Sequence, residues 1–203
     1  NRRAFFRNAT RRLRARNGGP TTVAVLLFDL DQFKAINDRF GHAIGDRILK
    51  LFGDSLAKNL KDDQVAGRIG GEEFAALLPD TDIREAAAVA EQIRKDFAEA
   101  ASLIDEHPVH ASVSVGGVAM NCGGRTPDID TLLLRADVAL YSAKEAGRNC
   151  VKVLGSTWSP HSESLQVEAS AAQLAANASP PIALVGKTGD EVHKAATERE
   201  AAP

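Results

Sequence analysis

The sequence predicts an α+β domain, an antiparallel sheet flanked by helices. Three observations carry this. Short apolar stretches rich in β-branched residues alternate with longer stretches of helical periodicity. Their order is β-α-β-β-α-β-α-β, and two neighbouring short stretches are separated by paired glycines, a hairpin signal. This order fits a ferredoxin-like core, with the helices expected on one face of the sheet.

Each element has its own reason. Residues 1–16 hold seven arginines and no acid, with Phe5, Phe6, Ala9 and Leu13 spaced as one stripe of a short helix. No interleaved aromatics or glycine-rich loop accompany the arginines. A solvated basic helix lying on the domain is therefore preferred to a nucleic-acid or membrane patch. Residues 23–30 are an apolar run that reads as a buried strand. Ile44, Ile48, Leu51, Phe52, Leu56 and Leu60 give residues 41–60 helical spacing. Residues 64–69 and 74–78 form two strands around Gly70-Gly71, where glycines are expected to supply the positive φ of a tight turn. An alanine-rich helix with an acidic start follows at 82–101, then an alternating strand at 109–120. A helix at 129–146 is stopped by Gly147, and residues 149–154 form a last short strand.

Composition bounds the function. The chain has 203 residues, net charge −2, 44% hydrophobic and 26% charged residues, which fits one globular domain with an appendage. No apolar run approaches the ~20 residues of a membrane span, and the near-neutral balance argues against wholesale nucleic-acid coating. Cys122 and Cys150, without C-x-x-C spacing, exclude a disulfide scaffold and a structural zinc site. Reduced thiols fit a cytoplasmic location. The start at Asn1, without an initiator Met or apolar signal, reads as a piece of a longer protein. After Leu154 the character changes. Residues 155–203 hold four of the eight prolines, eleven alanines and one aromatic, Trp158. That is too little apolar bulk to offset ordering entropy, so the expected division is a domain at 1–154 and a disordered tail at 155–203. Gly186-Lys187-Thr188 in the tail resembles part of a phosphate loop, but Pro181 stands where its first glycine belongs.

The chemistry-bearing residues are expected at one end of the sheet. Asp29-Leu30-Asp31 ends the first strand, and a two-residue period puts both acids on one side. Such acids often cap the following helix, a reading that suits Asp31 better than Asp29, which follows the apolar run and is expected to be nearly buried. Gly70-Gly71-Glu72-Glu73-Phe74 lies in the hairpin; if the hairpin pairs beside the first strand, Glu72 arrives near Asp29. Two carboxylates about 4 Å apart repel by about 4 kcal/mol at an effective dielectric near 20. A cation between them is then required, and oxygen-only ligands select a hard ion such as Mg²⁺. Lys144 and Arg148 flank Gly147 at a helix C-terminus, favourable for the macrodipole and equally suited to a polyphosphate. Asn37 and Asp46, an amide and a carboxylate, suit the polar edge of guanine. His42 has no evident metal partner and reads as structural.

Together these residues resemble the GGDEF-domain diguanylate cyclases over about residues 1–154. The resemblance is carried by Asn1-Arg2-Arg3-Ala4-Phe5-Phe6, by the block from Phe28-Asp29-Leu30-Asp31-Gln32-Phe33 through Ile36-Asn37-Asp38-Arg39-Phe40-Gly41-His42 with Gly45-Asp46, by Arg68-Ile69-Gly70-Gly71-Glu72-Glu73-Phe74, and by Ala139-Leu140-Tyr141-Ser142-Ala143-Lys144-Glu145-Ala146-Gly147-Arg148-Asn149. It implies a polymerase-palm-like domain that condenses two GTP into cyclic di-GMP and two pyrophosphates. It implies Asp29, the Leu30 carbonyl and Glu72 as ligands of Mg²⁺ or Mn²⁺, and Glu73 as the acid associated with the metal or with activating the 3′-hydroxyl. Asn37 and Asp46 match the guanine readers, and Lys144 and Arg148 the phosphate clamps. The Asp31-Gln32-Phe33 turn, Gln32 and Phe33 included, offers N–H groups to the β- and γ-phosphates. Glu72 in place of aspartate is a common variant, and Asp46 rather than serine favours guanine over adenine. Because one palm holds one GTP, the resemblance implies a catalytic homodimer, controlled by an N-terminal sensory or receiver domain, with no nucleic-acid partner. Family members with product inhibition carry R-x-x-D where this chain has Lys61 and Gln64; lysine lacks the planar fork and glutamine the charge, so no tight product site is expected. The alternative reading is a catalytically inactive GTP-binding regulatory module, whose hallmark, loss of a metal acid or of the glycine pair, is not seen.

Overall fold

The computed structural model describes residues 1–14, 21–122 and 127–157. The chain runs α1 (Arg2–Arg14), β1 (Thr22–Leu30), α2 (Phe33–Phe40), α3 (His42–Asn59), β2 (Val65–Arg68), β3 (Glu73–Pro79), α4 (Ile83–Ala100), β4 (Val113–Asn121), α5 (Ile129–Glu145) and β5 (Val151–Thr157). The five strands form one sheet in the order β2-β3-β1-β4-β5. β1 pairs antiparallel with β3 and β4, and β2 pairs antiparallel with β3. The last pair, β4 with β5, is parallel, so the sheet is mixed rather than wholly antiparallel. The reason is the helix between them: α5 carries the chain back to the end where β4 began, and only such a crossover allows parallel neighbours.

The helices cover both faces, not one. Along β1, Ala24, Leu26, Phe28 and Leu30 enter a core shared with α3 and α4, while Val23, Val25 and Leu27 enter a second core built with α1 and α5. A strand reading Val-Ala-Val-Leu-Leu-Phe is apolar on both sides, and each side must be covered. Phe52 of α3 organises the first core through edge contacts with Phe28, Phe74 and Phe97, centroids 5.4, 4.8 and 5.1 Å away. In the second, α1 buries Phe5, Ala9 and Leu13 and holds its arginines outward. Arg2 donates to the Ile69 carbonyl at 3.2 Å and Arg12 to that of Asp62 at 3.2 Å, the behaviour expected of a basic helix lying on its own domain.

Several boundaries differ from the sequence expectation. Residues 33–40 form α2, too short for its periodicity to stand out; Gly41, at φ +86°, separates it from α3. α4 begins with a complete capping box, Asp82 accepting from the backbone N–H of Arg84 and Glu85. β5 runs to Thr157, three residues past the expected end at 154; residues 158–203, with the expected tail and Gly186-Lys187-Thr188, lie outside the described residues. No helix among the described residues is long and apolar enough to cross a membrane.

One contact sets how deeply α5 sits. A Cβ on Gly116 of β4 would collide with the backbone of Leu140 and the carbonyl of Ala136, so the helix rides directly on the strand. Gly116→Ala should lower the unfolding free energy by about 1–3 kcal/mol through overpacking. Gly53→Ala, in the middle of α3 with no atom within 4 Å of the added carbon, should instead raise it by up to about 1 kcal/mol. Urea denaturation of the two variants measures both.

Candidate active site

The site forms where β1 leaves the core. Strand register puts Asp29 opposite Glu73 on β3 and opposite Ser114 on β4. Paired residues of antiparallel strands share a face. Phe28 and Phe74, one step inward, enter the first core, so Asp29 and Glu73 point to the opposite side, towards α5. The sequence had taken Glu72 as the acid arriving at Asp29; register gives that place to Glu73. Glu72 meets β1 through its main chain, its carbonyl accepting from Leu30 N–H at 3.3 Å.

The glycine pair works differently from the expectation. Neither Gly70 nor Gly71 has positive φ. A Cβ on Gly70 would run into the Glu73 carboxylate, which would have to swing away from its present position. The turn is closed by Ile69 and Gly70, whose N–H groups donate to the Glu73 carbonyl at 2.9 and 3.2 Å. Arg68 Nε donates to the carbonyls of Gly70 and Gly71 at 3.2 and 2.8 Å. This clamp went unread although Arg68 stood in the motif, because nothing local shows which way its side chain turns.

α5 delivers the cations. Lys144, in its last turn, makes an ion pair with Asp29, Nζ to Oδ2 2.8 Å. The helix ends in a Schellman motif, with Gly147 N–H donating to the Lys144 carbonyl at 3.3 Å and Arg148 N–H to that of Ala143 at 3.2 Å. Arg148 is exposed. Asp31 behaves unlike Asp29. It is the more buried, 6% exposed, and does not cap α2, whose N-cap is Gln32 at φ +55° with no side-chain bond. Its carboxylate accepts from Ser114 Oγ at 2.6 Å, Ser112 Oγ at 2.7 Å and Asn149 N–H at 3.1 Å. With no side-chain cap, the first-turn N–H groups of α2 from Phe33 onward are available to an anion.

Asn37 lies on α2 and Asp46 on α3. Gly45 leaves room for the Asn37 amide, with which a Cβ would collide, and Asp46 follows it, exposed on α3. A cavity of about 230 Å³ beside α2 is lined by Asp31, Gln32, Arg39 and His110 among others, and neither Asn37 nor Asp46 lines it.

The model of the diguanylate cyclase GGDEF domain matches residues 1–150. The chain belongs to the GGDEF family. It is 36% identical over 155 residues to the probable diguanylate cyclase DgcT of Escherichia coli, an alignment covering 75% of this chain and 33% of that protein. The chain thus spans about a third of the length of that curated relative. Among solved structures, the active GGEEF domain of a diguanylate cyclase from Vibrio cholerae is similar at TM-score 0.66 and 34% identity, over 75% of this chain and 96% of that one. The GGDEF domain of DgcB from Caulobacter crescentus, in complex with c-di-GMP, is similar at TM-score 0.67 and 28% identity, over 75% of this chain and 89% of that one.

Within this GGDEF domain, Lys61 and Gln64 bond to each other. Lys61 N–H donates to Gln64 Oε1 at 3.0 Å, and Gln64 N–H to the Lys61 carbonyl at 3.0 Å. Sequence reasoning also missed Ser112, Ser114 and Asn149. Ser114 left a faint signal, a polar residue inside an otherwise apolar strand.

The acid site has oxygen donors from Asp29, Glu73 and the main chain, a set that suits a hard divalent ion. Among the described residues no three Asp, Glu, His or Cys side chains converge as a closed cage. Lys144 already neutralises Asp29 through Oδ2, so a divalent ion competes with its ammonium. Lys144→Gln should therefore strengthen Mn²⁺ binding severalfold in the absence of nucleotide, read by paramagnetic titration. Asp29→Asn should weaken it.

Proposed function

We propose that this GGDEF domain condenses two GTP into cyclic di-GMP and two pyrophosphates, as the output of a larger signalling protein. Family membership supports the reaction class, and the facing pair Asp29 and Glu73 with Lys144 beside it is the observation that carries it. Asp29, Glu73 and the Leu30 carbonyl would hold Mg²⁺ or Mn²⁺. This gives Glu73 the place beside Asp29 that the resemblance gives to Glu72, which meets β1 beside Leu30 through its main chain and is tested separately below. When bound, the ion would neutralise triphosphate charge and lower the pKa of the attacking 3′-hydroxyl.

The chain's own groups account for the rest. The uncapped start of α2 at Gln32 and Phe33 takes β- and γ-phosphate oxygens on backbone N–H groups. Lys144 exchanges its bond to Asp29 for the phosphates, and Arg148 adds a second cation. Asp46 accepts from the guanine ring N–H and exocyclic amine, and Asn37 complements the remaining edge. Each domain binds one GTP, so two must meet across a two-fold axis, each hydroxyl facing the other's α-phosphate. Dimerisation is then the point of control, and a preceding sensory or receiver domain is the natural controller. No tight product site is expected, because Lys61 lacks the planar fork and Gln64 the charge of the R-x-x-D found in family members with product inhibition.

The test is to fuse the domain to a dimerising coiled coil, supply GTP and Mg²⁺, and look for cyclic di-GMP. No product from a folded dimer overturns the proposal. Glu72→Ala and Glu73→Ala should each abolish product while folding is retained. Asp46→Ala should erode the preference for GTP over ATP, since a site built to hydrogen-bond a group rejects analogues lacking it by about 10⁴-fold. Calorimetry should detect no tight cyclic di-GMP binding that depends on Lys61.

A further inference from the structure

Three consecutive residues after α5 have left-handed backbones: Gly147 at φ +108°, Arg148 at +64° and Asn149 at +45°. Glycine takes such angles freely and asparagine often; arginine keeps them at a cost that its surroundings must offset. Two hydrogen bonds hold this turn from outside. Asn149 N–H donates to Asp31 Oδ2 at 3.1 Å, and Arg94 Nη1 of α4 donates to Asn149 Oδ1 at 2.7 Å. Arg94 is itself fixed by Glu91, to whose two oxygens its Nε and Nη2 donate at 2.8 and 2.7 Å. Those bonds hold the Glu91 carboxyl below the usual carboxylate range. Asp31 is anchored on its other side by Ser112 and Ser114, and its own N–H donates to the Ser112 carbonyl at 2.9 Å.

We propose that Asp31 is a positioning residue that locks the 147–149 turn so that Arg148, beside Lys144 at the end of α5, stands opposite the start of α2 as the second wall of the triphosphate site. Asp31 lies directly before Gln32, so one buried carboxylate ties the two walls together. Of its three bonds, the one from Asn149 N–H reaches the turn, and through it Asp31 acts. A carboxylate suits the place because it accepts several bonds without needing to donate. Cutting this bond leaves Arg148 in a sparsely populated backbone conformation and Asn149 with one outside support, Arg94, and the turn relaxes. The inference rests on Lys144 and Arg148 being phosphate clamps.

The experiment compares calorimetric affinities for 3′-deoxy-GTP, which lacks the attacking hydroxyl and cannot turn over, and for guanosine, which has no phosphate. Asp31→Ala should weaken triphosphate binding by about tenfold or more, the loss of a charge-assisted hydrogen bond, and leave guanosine binding unchanged. Asp31→Asn, which keeps an acceptor for Asn149 N–H, should recover most of the loss. Arg94→Met, on the partly exposed side of the same turn, should shift triphosphate affinity in the same direction and decides the matter if Asp31→Ala does not fold. A folded Asp31→Ala that binds both ligands as the parent does, or weakens both equally, overturns the proposal. A Lys144→Ala, Arg148→Ala double variant separates the two levels. If it retains triphosphate affinity, the clamp reading itself fails. If it loses affinity while Asp31→Ala does not, only the positioning role fails.

Discussion

The domain depends on one strand that is buried on both faces and ends in charge. β1 is sealed between two cores through Phe28, and then within three residues the chain must accommodate two carboxylates. Charges at the mouth of a low-dielectric interior are costly unless each finds a partner. The elements gathered there answer that demand: β3 supplies the facing acid and its turn, α5 a lysine, and the start of β4 two hydroxyls. What makes the end of β1 difficult to solvate is also the reason an external cation and a polyanion are proposed there.

Asp29 and Asp31 meet the same demand in different ways. Asp29 is neutralised by Lys144, a flexible ammonium that can leave when a better counter-charge arrives. Asp31 is satisfied by short hydrogen bonds from groups fixed in the sheet and in the turn after α5. The first arrangement is exchangeable and suits chemistry. The second is permanent and suits positioning. Their two-residue spacing puts both on the α5 side, but distance from the solvent and the identity of the neighbours decide which does which.

Much of this was legible in the chain. The apolar run of β1, the stripe of α1, the acidic start of α4 and Gly147 after α5 are local signals with local causes, and the structure bears them out. The failures share a cause as well. The helices were expected on one face because an apolar run does not state how many sides will be covered. Gly70 is expected to supply a positive φ and does not; what it faces is the Glu73 carboxylate, a neighbour that exists only once the hairpin closes. Asp31 was read as a helix cap because its partners, Ser112, Ser114 and Asn149, are more than eighty residues away in sequence.

The sequence by itself determined the alternation of elements, the family, and the residue types present at the site, since these follow from periodicity and from motifs read within short windows. Only the tertiary structure decided the parallel β4–β5 pair, the cover on both faces, which of two adjacent glutamates faces Asp29, and the network around Asp31. Each of those depends on strand register or on helix seating. A shift of one residue in register exchanges the faces of Glu72 and Glu73, and no local property of two neighbouring glutamates distinguishes them until β1 and β3 are paired.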